Sequence, residues 1–260
     1  MSWQAPPPAV ADLEVGPVRR HAGATVEVRL GPGLAEAAPG QFVMVDVGDG
    51  ALAHPFTVFR SQPGGAFSLL LRPGGRPVAA LLAHARGAPV RAFGPLGRPF
   101  PKPRGGGRAL AVAEGGRLAP LYELVRLLVA EGRVTTVLIG GDQPEHFAAA
   151  ASFRALGARV ERRRGAGFPA LRRALGLALP SDTVYVAGPE AALAEADAAL
   201  AAAAGGGPDA HLALEVAMAC GVGACYGCPV PVRAPADPRH PYVRACVEGP
   251  VFAVGQVAFS

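Results

Sequence analysis

Apolar residues recur along the chain in two different rhythms, and the change between them falls near residue 100. Before it the apolar stretches are short and β-rich, at 24–30, 41–47, 56–59, 66–71 and 90–93. Turn signals separate them: Gly31-Pro32-Gly33, Gly48-Asp49-Gly50 and Pro73-Gly74-Gly75. Many short strands at regular spacing predict an antiparallel barrel or sandwich. One interruption of helical composition, 77–85, can cap it.

From about 107 the rhythm becomes strand, helix, strand, helix. Strand 109–113 leads into a helix whose apolar positions Leu118, Leu121, Val125, Leu128 and Val129 keep helical spacing. Strand 135–139, helix 146–156, a short strand near 159–161, helix 169–177, strand 183–187 and an Ala-rich helix 191–203 follow. That alternation predicts a parallel sheet covered on both faces, with ligands at the carboxyl ends of its strands. Gly205-Gly206-Gly207 and Pro208 read as a linker. The predicted fold class is multi-domain, β plus α/β: an antiparallel barrel over 1–100, a Rossmann-like sheet over 101–208 and a cysteine module over 209–260.

All four cysteines fall in that last segment, as Cys220-x4-Cys225-x2-Cys228 and then Cys246. The spacing is that of the plant-type [2Fe–2S] ligand set, three close thiolates and a distant fourth. Gly221, Gly223 and Gly227 let the backbone fold tightly around an inorganic core and aim N–H groups at its sulfurs. Two other uses stay open on spacing alone. Four cysteines can pair as disulfides, and zinc can be held by thiolates, though its sites usually present two separated knuckles.

Half the residues are hydrophobic, ample for real cores, yet no apolar run approaches the roughly 20 residues of a membrane span. The opening MSWQAPPPAVADLEV lacks the basic and continuous apolar regions of a secretory signal, so a cytoplasmic location, with thiols kept reduced, is expected. The net charge of +5 comes almost wholly from arginine, Lys102 being the one lysine. Apart from Arg162-Arg163-Arg164 the arginines are scattered and not interleaved with aromatics, which argues against a nucleic-acid face. Arginine also suits the phosphates of a nucleotide cofactor. Absent asparagine, scarce lysine and abundant proline fit either a thermophile or a coding bias.

The cysteine loop stands in a longer phrase, Leu214-Glu215-Val216-Ala217-Met218-Ala219-Cys220-Gly221-Val222-Gly223-Ala224-Cys225-Tyr226-Gly227-Cys228. Tyr242-Val243-Arg244-Ala245-Cys246 and Glu248-Gly249-Pro250-Val251-Phe252 follow it. Gly94-Pro95-Leu96-Gly97 and Val184-Tyr185-Val186-Ala187-Gly188-Pro189 add weaker matches upstream. On these residues the chain resembles, over about 10–260, the electron-transfer subunits of dihydroorotate dehydrogenase B, in the ferredoxin-reductase superfamily.

The resemblance implies an electron relay in pyrimidine biosynthesis. Dihydroorotate would be oxidised on FMN in a separate catalytic subunit, the two chains forming a heterotetramer of two copies each. Electrons would pass through a [2Fe–2S] cluster on Cys220, Cys225, Cys228 and Cys246 to FAD in this chain, and then to NAD+. No residue here would act on dihydroorotate itself, and no nucleic-acid or membrane partner is implied. FAD is expected on His54, Pro55, Phe56 and Thr57 of a barrel strand and on the loop Leu71, Arg72, Gly74, Gly75 and Arg76. NAD is expected at Gly115 and Gly116 after the first sheet strand and at Gly188 and Pro189.

Three of these motifs depart from the family pattern. His54 stands where the family has arginine, and Arg72 or Arg76 is expected to restore the lost charge. The loop Leu71-Arg72-Pro73-Gly74-Gly75-Arg76-Pro77 replaces a Gly-Thr phosphate loop. In Ala113-Glu114-Gly115-Gly116-Arg117-Leu118-Ala119-Pro120, Glu114 and Leu118 occupy places where the family has glycine. An inward Glu114 would repel a pyrophosphate, and the Leu118 side chain would obstruct it. Two other functions fit the same residues: a related subunit of a ferredoxin:NADP oxidoreductase or sulfide dehydrogenase, and a non-catalytic cluster-bearing module with decayed nucleotide sites.

Overall fold

A computed structural model describes residues 3–72, 74–104, 106–180, 182–202 and 207–259. Pro73 of the expected phosphate loop, residue 203 of the expected Ala-rich helix and Gly205 and Gly206 of the expected linker lie outside them.

The first unit is a closed barrel of six antiparallel strands: β1 (Ala9–Arg20), β2 (Val26–Leu30), β3 (Phe42–Val45), β4 (His54–Ser61), β5 (Phe67–Leu71) and β6 (Pro89–Leu96). Its order is β1-β2-β5-β4-β3-β6, closed by β6 pairing with β1. Leu13, Val28, Leu30, Val43, Leu69 and Leu81 fill the interior. Leu81 comes from α1 (Arg76–Ala83), the expected helical cap, which begins directly after Gly75 at φ 80°. The longest strand, β1, has no counterpart in the apolar pattern. Only Leu13 and Val15 of its twelve residues are buried, so most of it is held by ladder hydrogen bonds to β2 and β6.

The second unit is a six-stranded sheet, built on β7 (Ala109–Glu114), β8 (Thr135–Gly141), β9 (Arg159–Arg164), β10 (Thr183–Ala187), β11 (Asp209–Ala213) and β14 (Val251–Ala253). The order is β14-β11-β10-β7-β8-β9, parallel except for β14 at one edge. β7, β8 and β10 are buried along their whole lengths, as a sheet covered on both faces requires. Helices α2 (Ala119–Ala130), α3 (Ala150–Ala155), α4 (Pro169–Leu175) and α5 (Glu190–Ala201) cover it. The expected helix 146–156 is divided. A 3-10 turn, Pro144–Phe147, precedes α3, and the His146 ring folds back to accept the N–H groups of Asp142 and Gln143. The sheet also reaches past the expected boundary at 208, because β11 and β14 belong to it.

The cysteine module is therefore an excursion between two sheet strands. It carries the small ribbon β12 (Pro229–Pro231) and β13 (Tyr242–Arg244), followed by one helical turn, α6 (Ala245–Glu248). Cys228, Val230, Ala245, Cys246 and Phe252 pack against Phe42, Met44 and Leu96 of the barrel in one apolar cluster.

Barrel and sheet meet at β4 and α2. Phe59 lies 4.7 Å from Tyr122, and Tyr122 lies 5.5 Å from Phe153, ring centroid to centroid. The Arg60 guanidinium sits 4.2 Å over the Tyr122 ring, bonds the Tyr122 hydroxyl, and reaches Ser152 Oγ at 2.7 Å. Its Nε lies 2.8 Å from Glu27 on β2. Beside it, the buried Glu123 of α2 accepts the Ser61 N–H at 2.8 Å. β4 is thus pinned at its far end to the helices of the sheet, while His54–Thr57 stand at its near end.

Candidate functional site

The four cysteines are free thiols, with no disulfide among them. They fall in two neighbouring pairs, Cys220 beside Cys225 and Cys228 beside Cys246. Backbone donors surround the first pair. The N–H groups of Val222, Cys225 and Ala224 point at Cys220 and hold its thiol below the ordinary range, and Gly227 N–H lies 3.3 Å from Cys225 Sγ. Burial pushes the Cys246 thiol up, with Cys228 beside it adding to the effect.

This tight turning needs the glycines. Gly221 and Gly223 have φ of 70° and 80°, and a Cβ on them would come within 2.6 Å of Met44 and 2.7 Å of Val247. Tyr226 takes φ 54° without being glycine, its ring under the Arg244 guanidinium at 5.1 Å. Arg244 also bonds the Gly223 carbonyl and Glu248, tying the loop to the arm that carries Cys246.

Among the described residues no three His, Cys, Asp or Glu side chains close on one point as ligands of a single ion would. A [2Fe–2S] core asks for something else: two thiolates on each of two irons that sulfides bridge, with N–H donors to the sulfurs. Two cysteine pairs in a backbone N–H cradle fit that core.

A cavity of about 700 Å³ opens between barrel, sheet and cysteine module. His54, Pro55, Phe56 and Thr57 of β4 line it, with Leu71, Arg72 and Gly74 of the β5–α1 loop and Gly116 of the turn after β7. Phe42, Arg117 and the stretch Leu214–Met218 line it as well. A volume of this size, with apolar side chains beside a comparable share of polar surface, suits a cofactor that joins a flat aromatic ring to a polar tail. Met218 is two residues from Cys220, so the cavity wall and the cysteine centre are at most about 7 Å apart along the chain. The mix of apolar faces, a threonine hydroxyl and a guanidinium fits a flavin.

Of the two arginines expected to replace the charge lost at position 54, Arg72 lines this cavity. Arg76 turns away onto Asp49, which also holds His54 at 3.2 Å. Gly75, the residue before α1, is not among the cavity's lining residues.

Gly115 and Gly116, both with positive φ, end β7 beside Gly188 and Pro189 at the end of the neighbouring β10. The chain order reverses between these two strands, and that is where an open parallel sheet binds its ligands. Gly188 and Pro189 line a second cavity of about 370 Å³, which shares Arg117, Leu214, Glu215, Val216 and Ala217 with the first.

The expectations for Glu114 and Leu118 are corrected here. Glu114 points beneath the sheet's ligand edge, into the space a side chain at Gly140 would fill, and accepts the Leu171 N–H of α4 at 2.8 Å. Leu118 is buried in the core with Leu121 and Tyr122. Neither lines either of these two cavities.

Burial pushes the Glu114 carboxyl up from 4.5 to about 7, against the opposing pull of the Leu171 and Ala170 N–H groups. A carboxyl with a raised folded pKa stabilises most below 4.5, and that stability is lost as pH rises through 7. Glu114→Gln is therefore expected to unfold at higher denaturant than the native chain at pH 8, by about 2 kcal/mol, with a much smaller gain at pH 5. Urea titrations at the two pH values check this; a gain independent of pH contradicts it.

Sequence reasoning gave no role to Arg117, Glu215, Phe42 or Met44. The first two stood inside quoted motifs, but nothing in those motifs tells which side chains face a cavity. Phe42 and Met44 read simply as strand residues.

A flavin-sized cavity between a six-stranded barrel and a parallel sheet, backed by four thiols, defines an electron-transfer protein of the ferredoxin-reductase class. Solved structures share this fold. An NADH-dependent reduced ferredoxin–NADP oxidoreductase matches 96% of this chain and 90% of its own at TM-score 0.73 and 22% identity. Phthalate dioxygenase reductase matches 92% and 94% at TM-score 0.66 and 16% identity. Residues 215–258 match the iron-sulfur cluster binding domain of dihydroorotate dehydrogenase B. The dihydroorotate dehydrogenase B (NAD(+)) electron transfer subunit of Bacillus mycoides (strain KBAB4) is 31% identical over 230 residues, 84% of this chain and 86% of the relative. Its counterpart in Bacillus cereus (strain B4264) matches equally, 31% over the same shares. The chain belongs to the family of dihydroorotate dehydrogenase B electron transfer subunits.

Proposed function

We propose that this chain carries electrons from a dihydroorotate-oxidising catalytic subunit to NAD+, with a [2Fe–2S] cluster on Cys220, Cys225, Cys228 and Cys246 and FAD in the larger cavity. The observation that carries the reading is the shared wall: Leu214–Met218 lines that cavity and runs straight into Cys220. Bound there, the cluster supplies one-electron steps and the flavin the coupling of two such steps to a hydride.

The chain's own residues supply position and shielding. Cys228 and Cys246 are buried against Phe42, Met44 and Leu96, which keeps water from that side of the thiols. Cys225 is exposed, with Val222, Tyr226, Tyr242 and Val247 as exposed apolar side chains of the same module, and this face is where we place the catalytic subunit. Thr57 and Arg72 offer a hydroxyl and a charge to the flavin. Gly115, Gly116, Gly188 and Pro189 leave the sheet's switch point open to a nicotinamide nucleotide. Domain limits of 1–100, 101–208 and 209–260, with the last segment lending β11 and β14 to the sheet of the second, and assembly as two copies of each subunit in the cytoplasm complete the reading; no described helix is long and apolar enough to cross a membrane.

The test mixes the anaerobically loaded chain with an FMN-containing dihydroorotate dehydrogenase subunit and follows NADH formation. Dihydroorotate-dependent NADH, absent when either chain is omitted, is the expected result. No NADH from a fully loaded mixture that forms a stable complex would overturn it.

A further inference from the structure

Three charged side chains from three parts of the fold meet in the partition between the two cavities. Arg72 follows β5 of the barrel, Arg117 follows the glycine turn of the sheet, and Glu215 follows β11 at the start of the cysteine module. Arg72 Nη2 lies 3.0 and 2.9 Å from the two oxygens of Glu215, and Arg117 Nε lies 3.2 Å from one of them. Both guanidiniums also donate to the Gly115 carbonyl, at 3.4 and 3.1 Å. One carboxylate thus sits between two guanidiniums held at fixed positions by the backbone.

These are the two arginines that line the larger cavity, and Arg117 lines the smaller one as well. The other nearby cation, Arg76, is spent on Asp49. Guanidinium pairs that accept a carboxylate in this geometry accept phosphate oxygens equally well, since both present paired oxygens at similar spacing. Glu215 is half exposed and stands on a loop, so it can swing into water when a stronger anion arrives.

We propose that Arg72 and Arg117 form a receptor for the diphosphate of a dinucleotide, with Glu215 as the resident anion that the diphosphate displaces. This rests on reading the larger cavity as a flavin site only for the identity of one ligand. The diphosphate belongs either to the flavin dinucleotide in the larger cavity or to the nicotinamide dinucleotide entering beside Arg117, and the chemistry of recognition is the same. Arg117 then supplies the charge that a glycine turn without it would lack, and the chain's missing arginine at position 54 is replaced from the facing unit.

The experiment has two arms on the full chain. In the first, flavin-free chain is titrated with FAD by fluorescence; in the second, FAD-loaded chain is titrated with ADP by calorimetry. Arg117→Ala is expected to weaken binding about tenfold or more in at least one arm, and that arm names the source of the diphosphate. Glu215→Gln is expected to tighten binding in the same arm by about two- to fivefold, because the guanidiniums no longer have to leave a charged partner. A residue serving only to hold the three units together would not give tighter binding when neutralised. Glu215→Gln weakening both arms, or neither variant moving either arm, overturns the proposal. If the native chain takes up no FAD at all, the flavin reading fails instead. The receptor is then judged by inorganic pyrophosphate titrated onto the same variants, with the same opposite signs expected and unchanged affinities refuting it.

Discussion

Cys225→Ser is expected to leave a folded protein that has lost its iron–sulfur absorbance and, with it, electron transfer from the catalytic subunit. Serine offers a hydroxyl where the iron needs a thiolate. The position is exposed, so no core contact is lost with the sulfur. Barrel and sheet cores lie elsewhere, in residues such as Leu69, Val43, Ile139 and Tyr185. Loss of an outer-shell partner alone typically costs 10- to 100-fold in metal affinity, so loss of a ligand should lower dihydroorotate-dependent NADH formation by at least about 100-fold. Direct reduction of FAD by NADH should survive, because that step does not use the cysteines. A variant with normal cluster absorbance and normal activity would remove Cys225 from the ligand set. Cys228→Ser is a poorer choice for this test, since its sulfur is also part of the packing against Met44 and Leu96.

The second large effect concerns the joint between barrel and sheet. Arg60→Met should destabilise the chain by about 3 kcal/mol, seen as a lower urea midpoint. Methionine keeps much of the apolar stem but abandons Tyr122 and Ser152 and takes the guanidinium away from the buried Glu27, which keeps His21 at 3.2 Å. An uncompensated buried carboxylate is the costly part. Adding Glu27→Gln to Arg60→Met should therefore recover a share of the loss, a non-additivity expected of groups in one network. A single variant within about 0.5 kcal/mol of the native chain would show that the joint rests on the aromatic stack of Phe59, Tyr122 and Phe153 and on the Glu123–Ser61 hydrogen bond. The joint matters for function because the larger cavity lies between the units it fixes. β4 carries Arg60 near one end and His54–Thr57 at the other, so a loosened clamp should also weaken flavin binding.

The apolar pattern was enough to find five barrel strands and the strand–helix alternation, because β2 to β6 carry short runs of buried apolar residues and β7 and β8 are buried throughout. It missed β1, whose burial comes from two side chains and whose place is set by pairing on both edges. It missed that β11 and β14 belong to the sheet, since both lie beyond the strand–helix alternation and their place is set by pairing, β11 with β10 and β14 with β11. The cysteine spacing pointed to a [2Fe–2S] ligand set but left disulfides and zinc open; the longer phrase around it carried the resemblance, and residues 215–258 match the iron-sulfur domain of that family. The nucleotide motifs were harder. Glu114 and Leu118 looked hostile to a phosphate because the motif gives positions along the chain and not directions; the fold packs both against the helices, away from the two cavities. Arg117 and Glu215 gain meaning only when Arg72, more than forty residues from one and more than a hundred from the other, is brought beside them.

The most direct test of the relay is the visible absorption spectrum of anaerobically purified chain during stepwise reduction. Flavin bands superimposed on a broad iron–sulfur envelope, both bleaching as electrons are added, are the predicted result. A colourless chain that holds zinc on its cysteines, or a cluster spectrum that never gains flavin bands at saturating FAD, would contradict it.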